Sequence, residues 1–267
     1  SITAATRSLG SINAHYNHQV WKLRKFFREQ KIPIEVTTRV LRYSEFVIKP
    51  REQQVSMKDC QILSNIPTSL FMDVMLEIYS KHLEAHILFK ALRTKSRRVM
   101  QAVCCSAVQD LYLARQDELF GPGQTAHSMY FLIKGRLSYI IRPSGLEFHI
   151  HDHDETRWFC EAVLWTPWVH QGNMIAMKEC DLLSVNEGTF GKELSKHRAD
   201  LKMPKKYGVM FVENMNDLAG FNDDDPDNDQ QLSDILSPPQ KGIDYLKEQM
   251  KSKGGTASEL VGAMSPS

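Results

Sequence analysis

Three histidines alternate with other residues in the stretch from His149 to Asp154, which reads His-Ile-His-Asp-His-Asp. On a β-strand, alternate side chains point to the same face, so His149, His151 and His153 would lie side by side. Imidazoles arranged in this way can bind zinc or copper. The stretch is very polar and follows a proline-glycine turn, which is typical of the solvated end of a hairpin. We therefore favour a hairpin end and predict no metal site.

Two other groups of residues contain side chains of the types that bind calcium or act in nucleophilic catalysis. Residues 223–229 are rich in aspartate, but they lack the glycine and the closing glutamate of a calcium-binding loop. Ser106, Asp110 and His127 have no strand-turn-helix context that would expose a serine nucleophile. The glycine motifs that bind phosphates or dinucleotides are also missing from the sequence. We therefore predict no catalytic residues and expect that the protein is not an enzyme.

The composition narrows the class of protein. The chain has 267 residues, of which 42% are hydrophobic and 24% are charged, as in ordinary globular domains. A net charge of +1 argues against a nucleic-acid-binding protein. Residues 1–50 nevertheless contain nine basic and three acidic side chains, which suit an anionic membrane surface, an acidic partner or simply a solvated helix face. The five cysteines include no CxxC pair, which favours reduced thiols.

The secondary structure that would position a site begins with helices, which are predicted in the first part of the chain. Apolar residues at helical spacing predict a helix over residues 12–31, and Pro33 limits it. A second helix is predicted to end near Pro50. Pro67, followed by two hydroxyl residues, is a typical helix start, and the pattern over residues 93–108 predicts a further helix.

The hydrophobic period then changes to that of β-strands. Residues 130–141 are rich in aromatic and β-branched side chains, residues 146–150 alternate apolar and polar, and residues 174–185 predict one or two more strands. A weak helical pattern returns after Gly188. Helices, then strands, then helix predict the α+β class. From residue 222 onward few apolar side chains remain, so we predict a mostly disordered tail with a short helix near residues 243–246.

The predicted strands carry a recognisable series of motifs. The series consists of Gly123–Gly135, with a polar turn and an aromatic strand between two glycines, then Phe159–Leu164, then Met174–Leu183. In this order the motifs resemble the β-roll of a cyclic-nucleotide-binding domain, in which Gly123 and Gly135 would form turns. The helical half is similar to the C-linker below the pore of cyclic-nucleotide-gated, hyperpolarisation-activated and ether-à-go-go-type channels. The segments that carry this second resemblance are Ala14–Pro33, Arg39–Phe46, Ile66–Leu70 and His82–Leu92.

The resemblance implies an organisation and a function. Residues 1–82 would form the end of a pore helix and the helical C-linker. Residues 83–221 would form an antiparallel, jelly-roll-like β-roll with flanking helices, and residues 222–267 an acidic tail. The chain would be the cytoplasmic gating region of a voltage- or ligand-gated cation channel, with potassium as the expected ion. The expected partners are the channel's own pore region and the other subunits of a homo- or hetero-tetramer held by the C-linker.

In that family the nucleotide phosphate sits at a short helix after a Phe-Gly-Glu turn, the glutamate binds the ribose, and a downstream arginine binds the phosphate. The matching positions here are Phe159, Cys160, Glu161, Ala162, His170 and Gln171. Glu161 would bind the ribose, while His170 stands at the arginine position and Gln171 at its hydroxyl neighbour. Cys160 replaces the glycine, and its side chain would crowd the close approach of the backbone.

The missing arginine lowers the expected affinity for nucleotide. No arginine lies between Arg157 and Arg198, and a guanidinium forms the strongest contact with phosphate. The resemblance therefore leaves cyclic AMP or cyclic GMP as a candidate ligand, and no cofactor is predicted. Ether-à-go-go-type channels fill the equivalent pocket with their own chain. We hypothesise such a plug here, formed by Phe211, Val212 or Leu218.

Three alternatives remain at the level of sequence. A soluble cyclic-nucleotide-sensing module, such as a kinase regulatory subunit, would be expected to carry a second roll or an inhibitor segment. An enzyme with a regulatory roll would need a catalytic group of residues. A transcription regulator would need a helix-turn-helix after the roll, where this sequence is acidic.

Overall fold

The computed structural model describes five ranges of the chain, which are residues 2–44, 60–142, 144–198, 200–221 and 233–251. It contains helices and two antiparallel sheets, so the predicted α+β class is confirmed. Within these ranges no helix is both long enough and apolar enough to cross a bilayer. The chain divides into two compact units, Ser1–Pro67 and Thr68–Ser267.

The first unit is helical. It contains α1 (Ile2–Glu29), α2 (Ile34–Tyr43) and a 3₁₀ turn (Gln61–Ser64). Pro33 precedes α2 in an extended conformation with φ −54° and ψ 145°, which proline favours and which separates the two helices. The buried hydroxyl of Tyr16 donates a hydrogen bond of 3.3 Å to Ser44 and ties α1 to the end of α2.

The second unit holds the remaining helices. They are α3 (Thr68–Leu83), α4 (Ile87–Lys95), α5 (Arg97–Ser106), α6 (Glu187–Lys196), α7 (Lys202–Phe221) and α8 (Gln240–Lys251). The helix predicted over residues 93–108 is wrong in its bounds, because α4 ends at Lys95 and α5 begins at Arg97. The reason is Ser96, which has φ −141° and ψ 65° and interrupts the helical geometry.

In the described part of the chain, eight strands form two four-stranded antiparallel sheets. The strands are β1 (Val108–Leu113), β2 (Glu118–Phe120), β3 (Ser128–Lys134), β4 (Arg136–Ile141), β5 (Glu147–His151), β6 (Trp158–Phe159), β7 (Gly172–Ala176) and β8 (Cys180–Asn186). Their orders are β1-β8-β3-β6 and β2-β7-β4-β5. Gly135 divides the predicted strand 130–141 in two, because its φ is +112° and a Cβ there would collide with the carbonyl of Glu179.

The central residues of β3 and β8 are mostly apolar because both faces of these strands are covered there. Leu132 and Leu182 point into the core between the two sheets, whereas Phe131 and Leu183 point to a second core formed with the helices. Successive side chains on a strand alternate between its faces. One sheet is therefore packed between the other sheet and the helical layer, and the loops at its edges connect the two cores.

The short helix predicted near residues 243–246 is confirmed, and it is longer than expected, because α8 covers Gln240–Lys251 of the stretch predicted as a mostly disordered tail. Helix α8 lies in this stretch, its Leu246 is fully buried, and Gly242 packs against the ring of Tyr207 on α7. The few apolar side chains of this segment are enough to hold it in place, because the rest of the second unit provides the surface against which they pack. The acidic residues 223–229 and the last residues, 252–267, lie outside the described ranges.

Candidate functional site

The six residues matched to the family's ligand site lie in one segment, which is the end of β6 and the loop that leads to β7. It begins at Phe159, which is fully buried between the sheets, and continues through Cys160 into a 3₁₀ helix, Glu161–Leu164. Cys160 has φ 62° and ψ 32°, a left-handed conformation that a residue with a side chain adopts at some cost. Glycine would hold this turn without strain, so the contacts of the Cys160 side chain must compensate.

Asp234 reaches this loop from the segment between α7 and α8 and is almost completely buried. Its Oδ1 accepts hydrogen bonds from the indole nitrogen of Trp168 and from Nδ1 of His170, both at 2.8 Å. The ring of His170 is held in place by stacking on Phe120, with 3.6 Å between centroids and 5° between planes. The thiol of Cys160 lies 3.7 Å from both Asp234 Oδ1 and His170 Nδ1.

The other carboxylate oxygen of Asp234 faces the sheet. Oδ2 accepts hydrogen bonds from the hydroxyl of Tyr139 at 2.7 Å and from the backbone N–H groups of Gln171 at 2.8 Å and Gly172 at 3.3 Å. The backbone of Asp234 also pairs with the loop, because the N–H of Cys160 donates to its carbonyl. A single carboxylate therefore receives five hydrogen bonds from nitrogen and oxygen donors, which lie on β4, on β7 and on the loop between β6 and β7.

These contacts fix the ionisation of the cluster. Burial pushes the pKa of Asp234 upward, but hydrogen bonds from His170, Trp168 and Tyr139 outweigh burial and hold that pKa below its ordinary value. Burial, together with the Asp234 charge, raises the pKa of the Cys160 thiol well above its ordinary value. Asp234 is therefore a carboxylate and Cys160 a neutral thiol at physiological pH.

Cys160, His170 and Asp234 are buried metal-ligating groups whose ligand atoms lie within 4.8 Å of one another. We interpret them as a hydrogen-bonded cluster, because Oδ1 of Asp234 already accepts two direct hydrogen bonds and the thiol is protonated. The cluster also differs from a nucleophilic triad. In a triad the two histidine nitrogens contact different partners, whereas here the same Nδ1 faces both Cys160 and Asp234.

Glu161 points away from Asp234, into the core formed with the helices. Its Oε1 accepts hydrogen bonds from the hydroxyl of Tyr207 at 2.8 Å and from the indole of Trp165 at 3.3 Å. Its Oε2 lies 2.8 Å from Nε2 of His86. Burial and the Glu161 charge raise the pKa of Tyr207 above its ordinary value. The role expected for Glu161, a carboxylate open to a ribose, does not fit a side chain that is 2% exposed and bonded on both oxygens.

His86 also caps a helix, and this defines its tautomer. The backbone N–H of Leu88 donates to Nδ1 of His86 at the start of α4, so this nitrogen is the acceptor. The proton therefore lies on Nε2, which donates to Glu161. Through Glu161 the loop is bonded both to the beginning of α4 and, by way of Tyr207, to α7.

The remaining residues predicted for the site have other surroundings. Ala162 is buried in the core formed with the helices, and the side-chain amide of Gln171 bonds to the carbonyl of Val169. Gly123 has φ +82°, as a turn glycine does. Of the residues suggested for a plug on α7, Phe211 packs in the core formed with the helices, and the residue that reaches His170 is Asp234. Nothing local in the sequence distinguishes Asp234 from its acidic neighbours.

No protein-family model matches this sequence, and no match was found among curated proteins.

Proposed function

We propose that this chain is the cytoplasmic gating region of a tetrameric, potassium-type cation channel, and that its own Asp234 fills the ligand site of its β-roll. The observation that carries this proposal is the placement of Asp234. Its carboxylate meets His170 and the backbone of Gln171, the two positions matched by resemblance to the phosphate-binding residues. A buried anion bonded to these residues leaves no free donors for a nucleotide phosphate.

The order of the elements supports the assignment to a β-roll. Helices come first, two four-stranded antiparallel sheets follow, and α6 and α7 come directly after the last strand. The 3₁₀ helix Glu161–Leu164 lies between β6 and β7, at the place where the family carries its phosphate-binding helix.

The first unit supports a role in assembly. Several large apolar side chains of α1 and α2 are exposed, among them Trp21 at 58%, Phe26 at 53% and Ile34 at 70%. Such surfaces mark contacts with other chains when they form patches. In a tetrameric C-linker these side chains would pack against the neighbouring subunit, and the exposed basic residues Arg24 and Arg28 would suit the anionic surface of a membrane.

The hydrogen bonds of Glu161 suggest how the site would act on the rest of the second unit. A change at Asp234 would move the loop after β6, and Glu161 would transmit that movement to Tyr207 on α7 and to His86 at the start of α4. An effector shifts such an equilibrium only through its different affinity for the two arrangements. Asp234, part of the same chain, would hold one arrangement as the resting state.

Native mass spectrometry of the 267-residue chain tests the proposal. We expect a tetramer, we expect Phe26→Ser to weaken it because an apolar contact is lost, and we expect the matched exposed variant Arg24→Ser to leave it intact. A chain that stays monomeric at high concentration would contradict the gating role. A monomer that also binds cyclic nucleotide would favour the alternative, a soluble regulatory module.

A further inference from the structure

We propose that the donors around Asp234 form a binding site for a small oxyanion of single negative charge, which Asp234 occupies from within the chain, and that a free carboxylate binds there when residue 234 lacks its own. This inference rests on the proposed function in treating the loop after β6 as the ligand site. It adds the class of ligand and the way in which the site is kept closed.

Every polar group that contacts the carboxylate is a donor. Three are side chains, from Tyr139, Trp168 and His170, and each of these residues is at least nine-tenths buried. Two more are the consecutive backbone N–H groups of Gln171 and Gly172, and the last is the thiol of Cys160, at the longer distance of 3.7 Å. Convergent donors in a dry site are the usual way in which proteins hold an oxyanion.

The donors are held in position by contacts that do not involve Asp234. Tyr139 and Gly172 belong to the paired strands β4 and β7. The backbone of His170 bonds to Gly123 and Gln124 in both directions, at 2.8 and 2.9 Å. The carbonyl of Trp168 accepts from the N–H of Ala126 at 2.9 Å. The group of donors should therefore persist when the carboxylate is removed.

The charge of the site selects a singly charged ligand. Among the described residues, His170 is the only group able to carry a positive charge that lies within hydrogen-bonding distance of the Asp234 carboxylate. Transfer of a doubly charged phosphate into such a buried place would leave one charge without compensation. A carboxylate, or a phosphodiester with one charge, can accept hydrogen bonds from these donors and leaves no second charge without compensation.

The segment that carries Asp234 is also held to the second unit by contacts of α8 that do not involve the Asp234 carboxylate. Helix α8 follows it, buries Leu246, and packs Gly242 against Tyr207, while Lys206 of α7 lies 4.6 Å from the ring centre of Tyr245. A substitution at residue 234 therefore empties the site without detaching the segment. This makes replacement of the lost carboxylate by a free one a direct test.

The test measures the thermal unfolding midpoint (Tm) of the full chain in sodium chloride and in sodium formate at equal ionic strength. In chloride, Asp234→Ala should lower Tm by about 10 °C or more, because buried donors lose their acceptor. Formate should restore most of this loss with a saturable dependence on concentration, and acetate should do the same for Asp234→Gly. The exposed residue of α8, Asp244→Ala, is the matched control and should respond equally to both salts.

Equal effects of formate and chloride on Asp234→Ala, or the same gain from formate in the unsubstituted chain, would overturn the proposal. If Asp234→Ala does not fold in chloride, recovery of folded protein in formate supports the site, whereas an unfolded chain in both salts overturns it. Calorimetry of Asp234→Ala then separates the ligands. Binding of formate alone identifies a carboxylate site, binding of cyclic AMP as well identifies a phosphodiester site, and binding of neither overturns the inference. These results do not depend on whether the chain is a tetramer, so the two proposals can fail separately.

Discussion

Replacement of Tyr207 by phenylalanine tests the connection between the loop after β6 and helix α7. The substitution keeps the buried ring and removes only the hydroxyl that donates to Oε1 of Glu161 at 2.8 Å. A hydrogen bond to a charged group contributes about 1.5–3 kcal/mol to stability. Glu161 keeps its bonds from His86 and Trp165, so the carboxylate is not left without donors. We therefore expect the free energy of unfolding to fall by about 1.5–3 kcal/mol, which corresponds to a Tm lower by roughly 3–12 °C.

Urea unfolding followed by tryptophan fluorescence measures this loss, because Trp165 and Trp168 lie in the same loop. Tyr245→Phe provides the matched control on α8, where the ring packs on Lys206. The control should change stability by no more than about 0.5 kcal/mol. If Tyr207→Phe lowered the free energy of unfolding as little as Tyr245→Phe does, Glu161 would not connect the loop to α7.

Three further outcomes follow from the site and its surroundings. Because hydrogen bonds hold the pKa of Asp234 below its ordinary value, its stabilising contribution should be complete well above that ordinary value and lost as the pH falls from there through the folded pKa. Acid titration followed by circular dichroism should therefore show less acid sensitivity in Asp234→Ala than in the unsubstituted chain, and equal sensitivity would refute this. Gly135→Ala should destabilise the protein by more than about 2 kcal/mol in urea unfolding. Gly123→Ala, which meets no neighbouring atom, should cost only the strain of its positive φ, and equal losses would contradict the described collision. Alkylation and mass spectrometry should find Cys160 unmodified in the folded protein, because its thiol is buried and its pKa is raised; modification before unfolding would count against the buried cluster.

Much of the fold could be predicted because it depends on local signals. Pro33 and Pro67 lie at the beginnings of α2 and α3, where their restricted backbone requires a boundary. The strand pattern alone predicted one strand over residues 130–141, whereas the resemblance predicted a turn at Gly135, and the structure has this turn. The sequence does not reveal how closely Glu179 approaches that glycine. The break between α4 and α5 at Ser96 was also not predicted, because the conformation of this residue depends on neighbours that a periodic pattern does not contain.

The site was harder to predict because its main contacts are distant in sequence. Cys160 and His170 were expected to lie near one another, and the structure brings them together. Asp234, however, stands 95 residues from Tyr139 and 64 from His170. Composition placed it in an acidic tail, and only the folded sheets provide the donors that make it different. Glu161 was assigned to the ligand pocket because its neighbours match a motif, but Tyr207 and His86 bind both of its oxygens.

Calorimetric titration of the unsubstituted chain with cyclic AMP and cyclic GMP tests the central claim most directly. If Asp234 fills the ligand site, neither nucleotide should give a saturable heat of binding, although the protein is folded. Saturable binding of either nucleotide to the unsubstituted chain would contradict the claim, because the site would then be open while Asp234 is present.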